Sequence, residues 1–313
     1  MVTAGTAIKA NLGVTIFAYL FTAIEIGWVV LWTIAFSGVM DKTFVCNANG
    51  VCSDPNYGLL FLLLVAFYFT QQVLQSCVHV TVAGTVSTWW VAPEDSGCCS
   101  RGVMNSFIRT ITTSFGSICF GSLLVAIVQA LRGIAQAAQE NGDAAILACI
   151  AQCILACIAS ILEYFNKVRT LEDGNWAYIY VGVYGMSYIQ SGKAVMQLFA
   201  DRGWEAIIAD DLVGNALLLT SIIVGGIIGA VGLVLASTTT FFESTGDAAL
   251  GVAFFLGFIV GLSVCSILLS TIASGVNTVI VMFADAPREF EQNHPELSNK
   301  MRSTWQQFYP GMA

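Results

Sequence analysis

The chain has 313 residues, of which 10% are charged and 57% hydrophobic, with a mean hydropathy of +0.77 and a formal net charge of −8. A soluble domain carries about 25% charged residues, so this composition excludes an ordinary soluble protein and identifies an all-α, polytopic helical membrane protein. The acidic balance and the lack of any Lys/Arg cluster exclude a nucleic-acid partner.

A hydrocarbon core takes about 20 apolar residues to cross. Six segments meet that requirement: residues 11–37, 57–89, 107–130, 144–165, 211–237 and 248–283. The first begins near Ala10 and is too long for the apolar core of a signal peptide. The second and last exceed the bilayer, so they tilt or protrude. Residues 176–200 are less apolar and carry Lys193, which reads as an amphipathic helix on the membrane surface or packed under the bundle. The transmembrane domain is thus expected over 1–283, followed by a polar tail, 284–313. All five prolines fall outside the spans.

With a cytosolic start and six alternating spans, ten of the twelve Lys and Arg residues lie inside, and only Lys42 and Arg132 lie outside. Both termini are therefore expected in the cytosol.

This topology puts Cys46 and Cys52, in "FVCNANGVC", in an outer, oxidising loop, where they form a candidate disulfide. Cys149, Cys153 and Cys157 recur on one face of the fourth span. They read as small packing residues, because thiolate ligands are costly in lipid. Cys98 and Cys99 sit in a juxtamembrane loop on the inner side, a position open to acylation. Gly225, Gly226 and Gly229 in "SIIVGGIIGAVG" predict close helix approach in the fifth span. His79 reads as a buried, satisfied histidine and His294 as part of the polar tail. There is no phosphate loop, HExxH or GxSxG motif. No catalytic residue, metal or cofactor is assigned, and a non-enzyme is expected.

Four stretches in succession carry a resemblance: "VAGTVSTWW" at 82–90, "GSICFGSLLVAIVQALR" at 116–132, "EYFNKVRTLEDGNWAYIYVGVYGMSY" at 163–188 and "VMFADAP" at 281–287. Together they resemble the choline transporter-like family, the solute carriers that include the fungal pH-nine-sensitive proteins. The resemblance implies a ten-span fold with cytosolic ends, of which the six spans here correspond to the last six. About four N-terminal spans of that pattern are then lacking. It also implies movement of choline or a related organic cation, with the plasma membrane as the expected location. Oligomeric state is not implied.

A quaternary ammonium donates no N–H bonds, so its site needs aromatic faces and sometimes a carboxylate. Phe21, Glu25, Trp28 and Trp32 share a helix face in "FTAIEIGWVVLW". An acid at the bilayer centre costs on the order of 3 kcal/mol, so Glu25 is expected to face a partner or a watery cavity. Tyr68, Gln71 and Gln72 in the second span, with serines of the third, complete the candidate substrate site. Each has a packing alternative: Trp32 as an interfacial belt residue, and the glutamines as interhelical hydrogen-bonders. A non-transporting membrane scaffold and a proton-coupled transporter of another small solute are the competing functions.

Overall fold

Lipid offers no hydrogen-bond partners, so a spanning backbone must satisfy its own donors and acceptors within each helix. In the computed structural model, described here for residues 1–43, 57–140, 175–202, 212–238 and 249–308, every regular segment is helical. The helices are α1 (Val2–Ala10), α2 (Gly13–Thr43), α3 (Tyr57–Val91), α4 (Arg101–Ile111), α5 (Phe115–Glu140) and α6 (Asn175–Tyr184), continuing with α7 (Tyr188–Arg202), α8 (Leu212–Thr238), α9 (Ala249–Asp285), α10 (Pro287–Asn293) and α11 (Pro295–Phe308). A short 3-10 turn, Pro93–Asp95, follows α3.

Four of these helices are long and apolar enough to cross a membrane, over Gly13–Val39, Phe61–Val91, Gly214–Val234 and Val264–Asp285. The bent pair α4–α5 makes a fifth if it is one span. The expected fourth span, 144–165, and the candidate disulfide partners Cys46 and Cys52 lie outside the described residues.

Three expectations change. The third span is not one straight helix from 107 to 130: α4 and α5 meet at a 60° bend. The "RTITT" stretch lies at the bend. Thr110, Thr112 and Thr113 each donate a hydroxyl to the carbonyl four residues back, at 2.8, 2.6 and 3.1 Å. Such back-bonding competes with the helix ladder and bends it. The segment 176–200 is likewise two helices, because Gly185 adopts φ +69° and its N–H closes the α6 terminus on the Val181 carbonyl at 3.0 Å. Nor is its first half amphipathic, since Trp176 to Gly182 are buried without a break.

The third change is the tail. The chain forms two compact units, and the first comprises Met1–Tyr19, Thr85–Ser100 and Leu198–Ala313. Within it, the polar tail forms α10 and α11, which are docked on the end of α3. Trp90 is fully buried, donates Nε1–H to the Ala286 carbonyl at 2.9 Å and stacks on Phe290 at 3.8 Å. Trp89 stacks on His294 at 4.0 Å, and a ring nitrogen of His294 lies 3.1 Å from the Trp89 carbonyl. Asn293 donates to the Trp90 and Val91 carbonyls at 3.2 and 2.8 Å. These are among the last carbonyls of α3, which have no partner within the helix.

In the same unit α8 and α9 run antiparallel along a glycine seam. A Cβ at Gly232 would lie 2.6 Å from the Ala253 carbonyl, and one at Gly257 2.9 Å from that of Ile228. Only glycine permits such backbone approach. The second unit comprises Leu20–Gly84 and Arg101–Gln197.

Replacing the Phe290 ring tests the tail clamp. Phe290→Ala removes a fully buried side chain worth about 3 kcal/mol. Trypsin cleavage of the detergent-solubilised protein at Arg288, Lys300 or Arg302 should then accelerate by at least roughly tenfold. An unchanged rate would contradict the clamp.

Candidate functional site

The sequence-predicted residues fall in the second unit, and the structure separates them by role. Phe21 is buried and meets Phe107 of α4 edge-on at 6.1 Å. Glu25 is half-buried, and no other described residue forms an ion pair with it. Trp28, one turn further along α2, is also half-buried, yet its Nε1–H is enclosed and has no acceptor among the described residues. An enclosed indole donor without a partner costs about 1–3 kcal/mol unless something accepts from it.

Trp32 belongs to the packing. Its Nε1–H donates to the Leu63 carbonyl of α3 at 2.9 Å, and its ring stacks on Phe36 at 5.0 Å and leans on Phe67 at 4.6 Å. With its polar handle engaged, it fixes α2 against α3. Tyr68 is half-buried and meets Phe67 edge-on at 5.5 Å. Gln71 and Gln72 are half-buried one turn on, between Tyr68 and the buried Val73. The structure therefore keeps Glu25 and Trp28 as groups with unused polar capacity and removes Trp32 from that set.

Further along α3 lies a polar and aromatic cluster that residue patterns did not reveal. Ser122 of α5 donates to Ser76 of α3 at 3.4 Å and shares a hydrogen bond with the Tyr178 hydroxyl at 3.3 Å. The rings of Tyr178 and Tyr188 lie 5.0 Å apart. Burial raises both phenols above their usual range, so they remain neutral at physiological pH. Gly121 makes room for them: a Cβ there would lie 2.6 Å from the Tyr188 ring and 2.7 Å from the Tyr178 hydroxyl. A Cβ at Gly182 would meet the Val80 carbonyl at 2.7 Å, and one at Gly84 would meet Ser106 Oγ at 2.9 Å. Arg109 of α4 donates to the Gly182 carbonyl, and Thr81 donates to Thr110 at 3.2 Å. Helices α3, α4, α5 and α6 are thus locked by glycines, with hydroxyls and one guanidinium spanning the gaps. The serines and glycines were visible in "GSICFGSLL" and "YIYVGVYG", but nothing local in either stretch names its partner.

Several of the residues that form these locks lie in the stretches quoted above: Gly84, Gly121, Ser122, Tyr178, Gly182 and Tyr188 in this unit, and Trp90 with Ala286 in the other. The chain matches the family described as plasma-membrane choline transporter over residues 1–288. It belongs to that family. Among curated relatives, Protein PNS1 of Cryptococcus neoformans is 33% identical over 305 residues, covering 94% of this chain and 52% of the relative. Protein PNS1 of Mycosarcoma maydis is 34% identical over 267 residues, covering 82% and 48%. Protein pns1 of Aspergillus fumigatus is 28% identical over 309 residues, covering 91% and 56%. The chain spans about half the length of these relatives.

Two substitutions separate packing from ligand contact. Gly121→Val forces the tyrosine pair apart and should lose roughly 1–3 kcal/mol of stability, read as a lower melting temperature in detergent. Trp32→Phe deletes one N–H···O bond and should cost about 1 kcal/mol while leaving any substrate KM unchanged. A Trp32→Phe protein with wild-type melting and a raised KM would reverse that assignment.

Proposed function

We propose that this multi-pass member of the choline transporter family moves choline or a closely related organic cation across the membrane, with Glu25 and Trp28 contributing to the substrate site. The observation that carries the reading is the pairing of a half-buried carboxylate with an enclosed indole N–H, one helical turn apart and both lacking a described partner. A carboxylate favours a cation by charge, and an indole face attracts a quaternary ammonium through its ring quadrupole. The free N–H suits an oxygen such as the hydroxyl of choline. Tyr68, Gln71 and Gln72 extend this polar and aromatic surface along α3.

The excess of Lys and Arg on one side supports cytosolic termini, with the α1–α2 joint and the end of α3 at the inner face. The family description supports the plasma membrane as the location. No covalent step is required, which supports the reading as a non-enzyme.

Radiolabelled choline uptake into liposomes carrying the purified chain tests the proposal. Uptake should saturate, and choline should outcompete tetramethylammonium. Glu25→Gln should reduce uptake at low substrate by roughly thirtyfold, equivalent to about 2 kcal/mol of lost charge pairing. Trp28→Ala should raise KM by about tenfold. Uptake no greater than in protein-free liposomes, for choline and other organic cations alike, would refute it. An uptake rate that follows an imposed pH gradient would instead favour the proton-coupled alternative.

A further inference from the structure

We propose that Cys98 and Cys99 are a paired S-acylation site, modified with long-chain fatty acyl groups at the inner membrane boundary. Among the described cysteines, Cys77 is buried and Cys119 and Cys265 are partly buried within helices, whereas Cys98 and Cys99 are both exposed. They are adjacent in the chain and occupy a turn in which Ser100 N–H donates to the Gly97 carbonyl at 3.4 Å.

The turn is held at the ends of two spanning helices. It begins a few residues after Val91, the last residue of α3, whose side chain is 52% exposed. Gly97 N–H donates to Asn11 Oδ1 at 3.4 Å, and Asn11 Nδ2–H donates to the Ala7 carbonyl at 3.0 Å, which ties the turn to the joint between α1 and α2. At that joint Leu12 is exposed, and just beyond it α2 exposes Ile16. Exposed apolar side chains therefore lie on both elements that hold the turn, and Lys9, one turn before Leu12, is an exposed cation beside them. A thiol here can reach an acyl thioester whose chain remains in the leaflet. No third His, Cys, Asp or Glu among the described residues completes a metal set around the pair.

The chemistry is acyl transfer without redox change. The cysteine sulfur attacks the carbonyl carbon of a long-chain acyl-coenzyme A, a new C–S bond forms, and the bond to the coenzyme sulfur breaks. The coenzyme thiol leaves with the proton that the cysteine gave up. Two acyl chains on adjacent residues would pin this turn to the leaflet beside the docked tail.

The inference rests on the inner-face assignment proposed above, and one experiment tests the two separately. The full chain is expressed in yeast, free thiols are blocked with N-ethylmaleimide, thioesters are cleaved with neutral hydroxylamine, and released thiols are tagged with polyethylene-glycol maleimide. The wild type should gain two hydroxylamine-dependent tags, Cys98→Ser and Cys99→Ser one each, and the double variant none. An alkyne fatty acid fed to the cells should label the wild-type peptide that carries both residues, which decides the matter even if a variant fails to accumulate. Absence of hydroxylamine-dependent tags, or their persistence in the double variant, overturns the proposal. In the first case, impermeant-maleimide labelling in intact cells that the double variant loses, and that is therefore at Cys98 and Cys99, overturns the orientation too, whereas labelling of these two thiols only after permeabilisation leaves it standing.

Discussion

Helices immersed in lipid gain little by burying apolar side chains against each other, because the tails they leave are as apolar as the partner they meet. What holds such helices together is close backbone approach and the few polar groups that find each other across the gap. In this protein the approach is made by glycine. Gly232 and Gly257 bring α8 and α9 to within a distance that no side chain allows, and Gly84, Gly121 and Gly182 do the same for α3 to α6. Beside the contacts of α3 to α6 sit polar groups: Ser106 beside Gly84, the Tyr178 hydroxyl beside Gly121, and the Arg109 guanidinium on the carbonyl of Gly182. Packing and polar satisfaction are the same event here, since a helix that approached less closely would strand these groups in a medium without water.

That constraint explains where the structure tolerates irregularity. The α4–α5 bend frees backbone groups, yet Ser114 N–H reaches the Arg109 carbonyl at 2.9 Å and Ile118 N–H the Ser114 carbonyl at 3.0 Å. The α6–α7 break is closed in the same way by Gly185. The open end of α3 is finished by a distant segment, with Asn293 serving the carbonyls of Trp90 and Val91. Against this economy, the enclosed and unaccepted N–H of Trp28 stands out, as does the half-buried carboxylate of Glu25 one turn before it. The hydroxyls of Ser96, Ser114, Ser191 and Ser298 are also enclosed without a partner among the described residues. At Glu25 and Trp28, however, a carboxylate and an indole donor fall one turn apart on the same helix, and that pairing directs attention to a ligand.

Much of the fold was legible in the sequence. Helices α3, α8 and α9 cover the apolar segments 57–89, 211–237 and 248–283 to within two residues at each end, because an apolar run of that length is stable in lipid only as a helix. The glycine seam of α8 was legible too, since "SIIVGGIIGAVG" has small residues at the spacing that close approach demands. The bend at Thr112 and the docked tail were not. A threonine hydroxyl favours either a straight helix or a bent one depending on what lies beside it. Nor does "REFEQNHP" show that its Phe, Asn and His meet two tryptophans some two hundred residues earlier. For the candidate site, helical periodicity grouped Glu25, Trp28 and Trp32, but periodicity does not see the Leu63 carbonyl that engages Trp32.

The sequence by itself determined the helical membrane class and the approximate position of α3, α8 and α9, because those follow from the cost of exposing charge and unpaired backbone to hydrocarbon. It also determined that Glu25 needs a reason to be where it is. Tertiary structure alone decided which polar groups are satisfied and which are not. Hydrogen bonding within a helix is a local matter of spacing, whereas the partners of Trp32, Tyr178, Arg109 and His294 come from elsewhere in the chain and are met only when the helices pack.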